Sequence, residues 1–173
     1  MQKLLVPFVA GFVTAFVVNF ALTAISGGKG DTVGLFAGIG LGVVVAVEVF
    51  NLSGNRRPAA ASGDAKQRAL AFIPTPGNAA LYLVRTGFVG KMAGMNLAVD
   101  GREVAQLKSP RFTRVDVAPG AHTLRASFGG GLAGQTKASE LAFSCADGEI
   151  VVMKLGMSMG VVQNPVRIER SSA

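Results

Sequence analysis

The chain has 173 residues, 50% of them hydrophobic, with one cysteine, one histidine and a formal net charge of +7. A single cysteine excludes an internal disulfide, so nothing requires an oxidising compartment, and a single histidine excludes a multi-histidine metal site. Once two long apolar runs are set aside, about 120 residues remain, enough for one compact domain and not two.

The first run, Leu4 to Ile25, has 22 residues and no charge; the second, Thr32 to Leu52, has 21 residues and one charge, Glu48. At 1.5 Å per residue each reaches roughly 30 Å, the thickness of a hydrocarbon core, so residues 1–52 read as a two-helix transmembrane hairpin. The first run follows Met1-Gln2-Lys3 as a signal peptide would. Its apolar stretch exceeds the usual h-region of roughly 7–15 residues, however, and no small-x-small cleavage site follows. A retained helix is expected.

Both helices carry repeats at i, i+4, which fall on one helix face. In the first, Phe8, Phe12, Phe16 and Phe20 form an aromatic ridge beside a small and polar groove of Gly11, Ala15, Asn19 and Thr23. In the second, Gly34, Gly38 and Gly42, continued by Ala46, form a glycine groove. Small residues let backbones approach closely in lipid. The expectation is phenylalanine knobs against glycine holes, within one hairpin or between copies of a homo-oligomer. Glu48 is the intramembrane acid; it either serves a proton-carrying ring or is solvated at the interface near Arg56 and Arg57, and its position four residues from the end of its span favours solvation.

Basic residues set the orientation. Lys3 and Lys29 flank the first span, whereas Arg56, Arg57, Lys66 and Arg68 follow the second. The excess places both termini in the cytoplasm of a bacterial inner membrane, with a periplasmic C-terminal domain as the alternative. All seven net charges lie beyond residue 52, so the domain there should meet anionic lipid through Arg56, Arg57, Lys66 and Arg68. Scattered basic residues and few aromatics argue against nucleic acid.

Residues 53–68 are polar and rich in alanine and glycine, and read as a linker. From residue 69 to residue 173 the period becomes two. Short β-rich runs are expected at 80–85, 95–100, 103–107, 112–117, 122–128, 140–145, 150–155 and 161–168, separated by Asp100-Gly101, Pro119-Gly120, Gly129-Gly130-Gly131 and Asp147-Gly148. An X-Gly pair between alternating runs is the strongest short hairpin signal. Seven or eight such strands predict an antiparallel β-sandwich. The whole is an α+β membrane protein.

The strings Ala80-Leu-Tyr-Leu-Val-Arg85, Asn96-Leu-Ala-Val-Asp-Gly-Arg-Glu-Val104, Val117-Ala-Pro-Gly-Ala-His-Thr-Leu124 and Gly148-Glu-Ile-Val-Val-Met153 occur in the order of a family. Residues 72–169 resemble the bacterial PEGA-like sandwiches. The resemblance implies a domain anchored to an envelope membrane, without catalytic residues, since the shared positions are turn formers that define a fold and not an activity.

Chemical motifs are sparse. His122 follows Pro119-Gly120 and reads as a turn-to-strand residue rather than a catalyst. Met153, Met157 and Met159, with Met92 and Met95, could gather thioethers for Cu(I), but methionine is also a routine gap-filler. The run Gly129 to Gly134 lacks the Gly-Lys-Ser/Thr ending of a phosphate loop. Cys145 reads as core. No metal, cofactor or enzymatic activity is therefore expected. The favoured reading is a membrane structural or assembly protein, a homo-oligomer or an accessory subunit of a larger membrane complex. Its rivals are a membrane-tethered module binding lipid, glycan or peptide, and an ion-conducting ring using Glu48.

Overall fold

A computed structural model describes residues 2–26, 32–56 and 63–171. The chain divides into two units, Met1–Ser53 and Gly54–Ala173.

The first unit is a pair of helices, α1 (Gln2–Ile25) and α2 (Thr32–Asn51), both long and apolar enough to cross a membrane. Two hydroxyls inside α1 are satisfied locally. The hydroxyls of Thr14 and Thr23 donate to the carbonyls of Ala10 and Asn19, each at 2.9 Å, which removes the cost of an open donor in an apolar helix.

The second unit begins with a helix where a linker was expected. Helix α3 (Gly63–Ala71) takes in residues 63–68 of that segment. Its residues are good helix formers, and Asp64 in the first turn and Arg68 in the last complement the helix dipole. Strand partners also hold it. The carbonyl of Ala69 accepts the Tyr82 hydroxyl at 3.0 Å, and that of Arg68 accepts from Arg114 at 2.9 Å. Phe72, just beyond α3, stacks on Tyr82 with ring centroids 4.7 Å apart.

Nine strands follow: β1 (Ala79–Arg85), β2 (Met95–Val99), β3 (Arg102–Leu107), β4 (Arg111–Val117), β5 (Gly120–Phe128), β6 (Thr136–Lys137), β7 (Ser139–Cys145), β8 (Ile150–Met157) and β9 (Asn164–Ser171). They form two sheets in a sandwich-like arrangement, ordered β4-β1-β8-β9-β6 and β3-β2-β5-β7. Period two is visible in the burial of β2, β5 and β8, where Leu97, Leu124 and Ala126, and Val151, Met153 and Leu155 are closed to solvent, whereas β1, between two strands, is buried on both faces from Ala79 to Leu83. Asp100 and Gly101 join β2 to β3 with φ of 51° and 77°, the positive values that a type I′ hairpin requires.

Three features depart from the expected antiparallel sandwich. The sheet containing β1 is mixed, because β8 runs parallel to it with Ala80 opposite Ile150. The turn after β7 returns the chain to the end where β1 starts, and the Ala80 amide donates to the Glu149 carbonyl at 2.8 Å. The two-residue strand β6, parallel to β9, was not expected. The final strand starts at Asn164 and not at residue 161, because the Asn164 side chain accepts from the Gly160 amide at 3.0 Å and closes a loop that leaves Val161 and Val162 in the open.

Candidate functional site

The helix pair buries a seam of small residues. Gly11, Gly34, Gly38 and Gly42 are buried, and Ala15, Asn19 and Ala46 half-buried. The fit is measured by what a methyl group would meet. A Cβ on Gly42 would lie 2.5 Å from the Gly11 carbonyl oxygen and 2.8 Å from the Ala15 Cβ; one on Gly11 would lie 2.6 Å from the Gly42 oxygen and 2.7 Å from the Ala46 Cβ. At Gly38 the nearest atom is the Ala15 oxygen at 2.9 Å, and at Gly34 the Leu22 Cβ at an ordinary 3.4 Å. The seam is therefore tightest where Gly11 meets Gly42 and relaxes toward Gly34. Gly40 lies off it, with nothing within 4 Å.

This overturns the expected knobs-into-holes arrangement within the hairpin. The glycine groove of α2 is filled by the small face of α1, and Phe8, Phe12, Phe16 and Phe20 point outward, 65–72% exposed. A phenylalanine face cannot share a seam that brings a backbone carbonyl this close to the opposing helix. Beside the seam lies an apolar hollow of about 290 Å³, floored by Gly11, Ala15, Gly42 and Ala46 and rimmed by Phe8, Phe12, Ile39 and Val43. Glu48 is exposed on α2.

Of the basic residues expected at lipid head groups, one is ion-paired and two are exposed among the described residues. Arg56 reaches Glu103 at 2.6 Å. Its amide donates to the Gln106 side chain at 2.7 Å. Arg57 lies outside the described residues. Lys66 and Arg68 are exposed on α3, where Arg68 also helps to lower the Asp116 carboxyl below its ordinary value; burial there opposes bonds from Thr75 and Arg114.

Each end of the strand unit is closed by one cationic side chain that belongs to the inward phase of its strand. Arg85 continues the phase of Leu81 and Leu83 and is 1% exposed. Its guanidinium donates to the carbonyls of Gly90 at 2.6 Å, Ala93 at 2.5 Å and Leu107, and sits 5.0 Å from the centroid of the Phe128 ring. No carboxylate faces it among the described residues, and burial pushes its pKa down to about 10, so it stays charged. It ties the loop after β1 to the end of β3.

At the opposite end His122 continues the phase of Leu124 and Ala126. Its Nδ1 is 2.6 Å from Asp100 Oδ2 and its Nε2 is 2.7 Å from the Ala118 carbonyl oxygen. Both neighbours are acceptors, so only the imidazolium can donate at both nitrogens. The Asp100 hydrogen bond raises the His122 pKa, helped by the Ala118 carbonyl. Asp100 is lowered in turn by His122 and by the Thr123 amide, which donates to its Oδ1 at 2.8 Å.

The methionines differ in burial. Met95 and Met153 lie in the core, Met157 is half-buried, and Met92 and Met159 are exposed. Cys145 is buried, its thiol 3.4 Å from the Ala118 carbonyl. The run at Gly129 to Gly134 forms a short 3-10 turn, Gly130–Gly134. The Arg85 clamp went unread in the sequence, although a charge in the apolar phase of a strand (Leu81, Leu83, Arg85) is the available signal for one. Compared with known proteins, the chain matches no family model and no curated protein.

Proposed function

We propose that the protein is a non-enzymatic structural or assembly component of a bacterial inner membrane. Helices α1 and α2 cross the bilayer as one hairpin, and the strand unit, a PEGA-like sandwich on the cytoplasmic side, offers surfaces for protein contacts. The observation that carries this is the Gly11–Gly42 seam with four phenylalanines turned outward. A closed seam makes the hairpin a preformed unit, and what remains for lipid, a second copy or another subunit is the Phe8–Phe20 ridge and the hollow at its foot. A phenylalanine of a neighbouring helix fits that hollow in size and polarity. The non-enzymatic reading is supported by His122 and Cys145, the two side chains best suited to chemistry, both turned to structural acceptors.

The mass of the complex extracted in mild detergent tests the proposal. A mass of several chains, or of this chain with other subunits, is expected, and Phe12→Ala with Phe16→Ala should reduce it. A single chain of 17.7 kDa in both cases overturns the assembly reading in favour of a tethered binding module. Cysteine placed in the 27–31 segment should react with an impermeant thiol reagent in intact cells; reaction at residue 60 instead reverses the orientation.

A further inference from the structure

The two ends of the strand unit differ in charge and in apolar exposure, and one of them is tied to the start of the unit. Gly54 packs against Gly129 and Gly130 so closely that no side chain fits between them. The Asn55 side chain donates to the Met92 carbonyl at 3.0 Å and accepts from the Gly94 amide at 2.5 Å. Gln106 donates to the Gly54 carbonyl at 2.8 Å. Residues 54–56 are thus bound where β2 begins and where β3 and β5 finish. In the chain, Gly54 is three residues past the last residue of α2.

The same end carries the four most exposed large apolar side chains among the described residues of the strand unit, Phe88, Met159, Val161 and Val162, with Met92 near them and Ile73, 69% exposed, lying apart after α3. Phe88 and Met92 lie on the loop after β1, and Met159, Val161 and Val162 on the loop after β8; each is 63% exposed or more. The first loop meets the end of β8 just before the second begins, since a Cβ on Gly90 would lie 2.8 Å from the Met157 methyl carbon. The loop after β3 braces the first of them: the Ser109 amide donates to the Lys91 carbonyl and its hydroxyl to the Gly87 carbonyl at 2.7 Å. Isolated exposed hydrophobics need no explanation, but five on adjoining loops at one end do.

Charge follows the same division. Segments 86–94, 108–111, 129–138 and 158–163 contain Lys91, Lys108, Arg111 and Lys137 and no aspartate or glutamate. The other end mixes both signs: Asp100, Asp116 and Glu149 pair with His122, Arg114 and Arg170, and Asp147 and Arg102 lie beside them. Lys91 lies 4.5 Å from the Phe88 ring centroid, which puts a cation beside an exposed aromatic. An apolar tip ringed by cations matches a bilayer surface, where apolar side chains enter the acyl boundary and cations meet anionic head groups.

We propose that the Phe88–Met92 and Met159–Val162 loops insert into the anionic lipid surface that α1 and α2 span, seating the strand unit end-on against the bilayer. This rests on the membrane reading of the helices, and it moves the lipid contact from Arg56, Lys66 and Arg68 to these loops. An environment-sensitive dye on a single cysteine, in the full chain with Cys145→Ser, tests it at positions 161, 147 and 36. The protein is placed in vesicles of phosphatidylcholine and phosphatidylglycerol, with and without brominated acyl chains. Position 161 should show blue-shifted emission, several-fold stronger quenching by brominated lipid than position 147, and weaker quenching when phosphatidylglycerol is omitted. Position 36, in α2, should be quenched throughout. Quenching at 36 with equal responses at 161 and 147 overturns the insertion alone. Absence of quenching at 36 overturns the membrane reading itself. Quenching at 161 that is unchanged in neutral lipid overturns the role of the four basic residues.

Discussion

A methyl group added at Gly42 should loosen the helix pair, while the same group at Gly40 should not. The Gly42 Cβ would stand 2.5 Å from the Gly11 carbonyl oxygen and 2.8 Å from the Ala15 Cβ. Unstrained contacts of this kind lie at about 3.5–4.0 Å, so the helices must part by about 1 Å, and a gap of that size forfeits a quarter to a half of each dispersion contact along the seam. Overpacking typically costs about 1–3 kcal/mol. Gly40 has nothing within 4 Å, so Gly40→Ala keeps the seam, and both variants share the same gain in helix propensity. Their difference, about 1–3 kcal/mol, isolates packing. Energy transfer between dyes at the exposed positions 5 and 47, in the Cys145→Ser chain, would report separation as SDS is titrated into mild detergent. Equal resistance of the two alanine variants would refute the reasoning.

Replacing Arg85 by methionine keeps the stem and leaves the carbonyls of Gly90, Ala93 and Leu107 without their common donor. Removing hydrogen bonds to a charged group costs about 1.5–3 kcal/mol each before relaxation, so a loss of several kcal/mol is expected. A thiol dye that reaches buried Cys145 only on unfolding would read it as a lower melting temperature; an unchanged melt refutes the clamp. His122 gives a pH dependence of defined sign. Its folded pKa is raised from the ordinary 6.5, so its contribution is fully present below about pH 6.5 and disappears as pH rises through the folded value. The same melt, compared at each pH with His122→Gln, should show a difference that shrinks toward alkaline pH; a constant difference counts against the doubly donating imidazolium. Tyr82→Phe removes the bond to the Ala69 carbonyl, with an expected cost of about 1 kcal/mol, visible as faster hydrogen exchange in α3. Unchanged exchange there means that the Arg114 bond to Arg68 and the stacking on Phe72 hold the helix without it.

Strands were legible because their signals are local. Alternation over Leu81, Leu83 and Leu97, and the Asp100–Gly101 pair, depend on neighbours within a few residues, and eight of the runs correspond to strands. Direction was not legible: parallel pairing of β1 with β8 follows from where the chain returns after β7, which no window contains. Helix α3 was misread because alanine and glycine beside arginine resemble a linker, while its stabilising partners, Tyr82 and Arg114, lie in strands further along. Gly11, Ala15, Gly42 and Ala46 could be named from their spacing, but not the choice between phenylalanine and small residues as their counterpart. Spacing marks a face; only the closest backbone approach decides what it meets. The lone histidine was visible as structural, whereas its two acceptors come from different turns.

The position of β1 has a consequence for how the protein is made. This strand is the first of the unit to leave the ribosome, yet it lies between β4 and β8, and its Ala80 waits for Ile150, seventy positions later. Pairing across such a separation requires loop closure before any reward, which makes it slow. Until β8 arrives, one edge of Ala79–Arg85 stays open, with Leu81, Tyr82 and Leu83 unburied, in a nascent chain whose apolar helices have already emerged. An open apolar edge invites pairing with other chains. If a membrane takes up α1 and α2 early in synthesis, nascent chains are held apart during that interval.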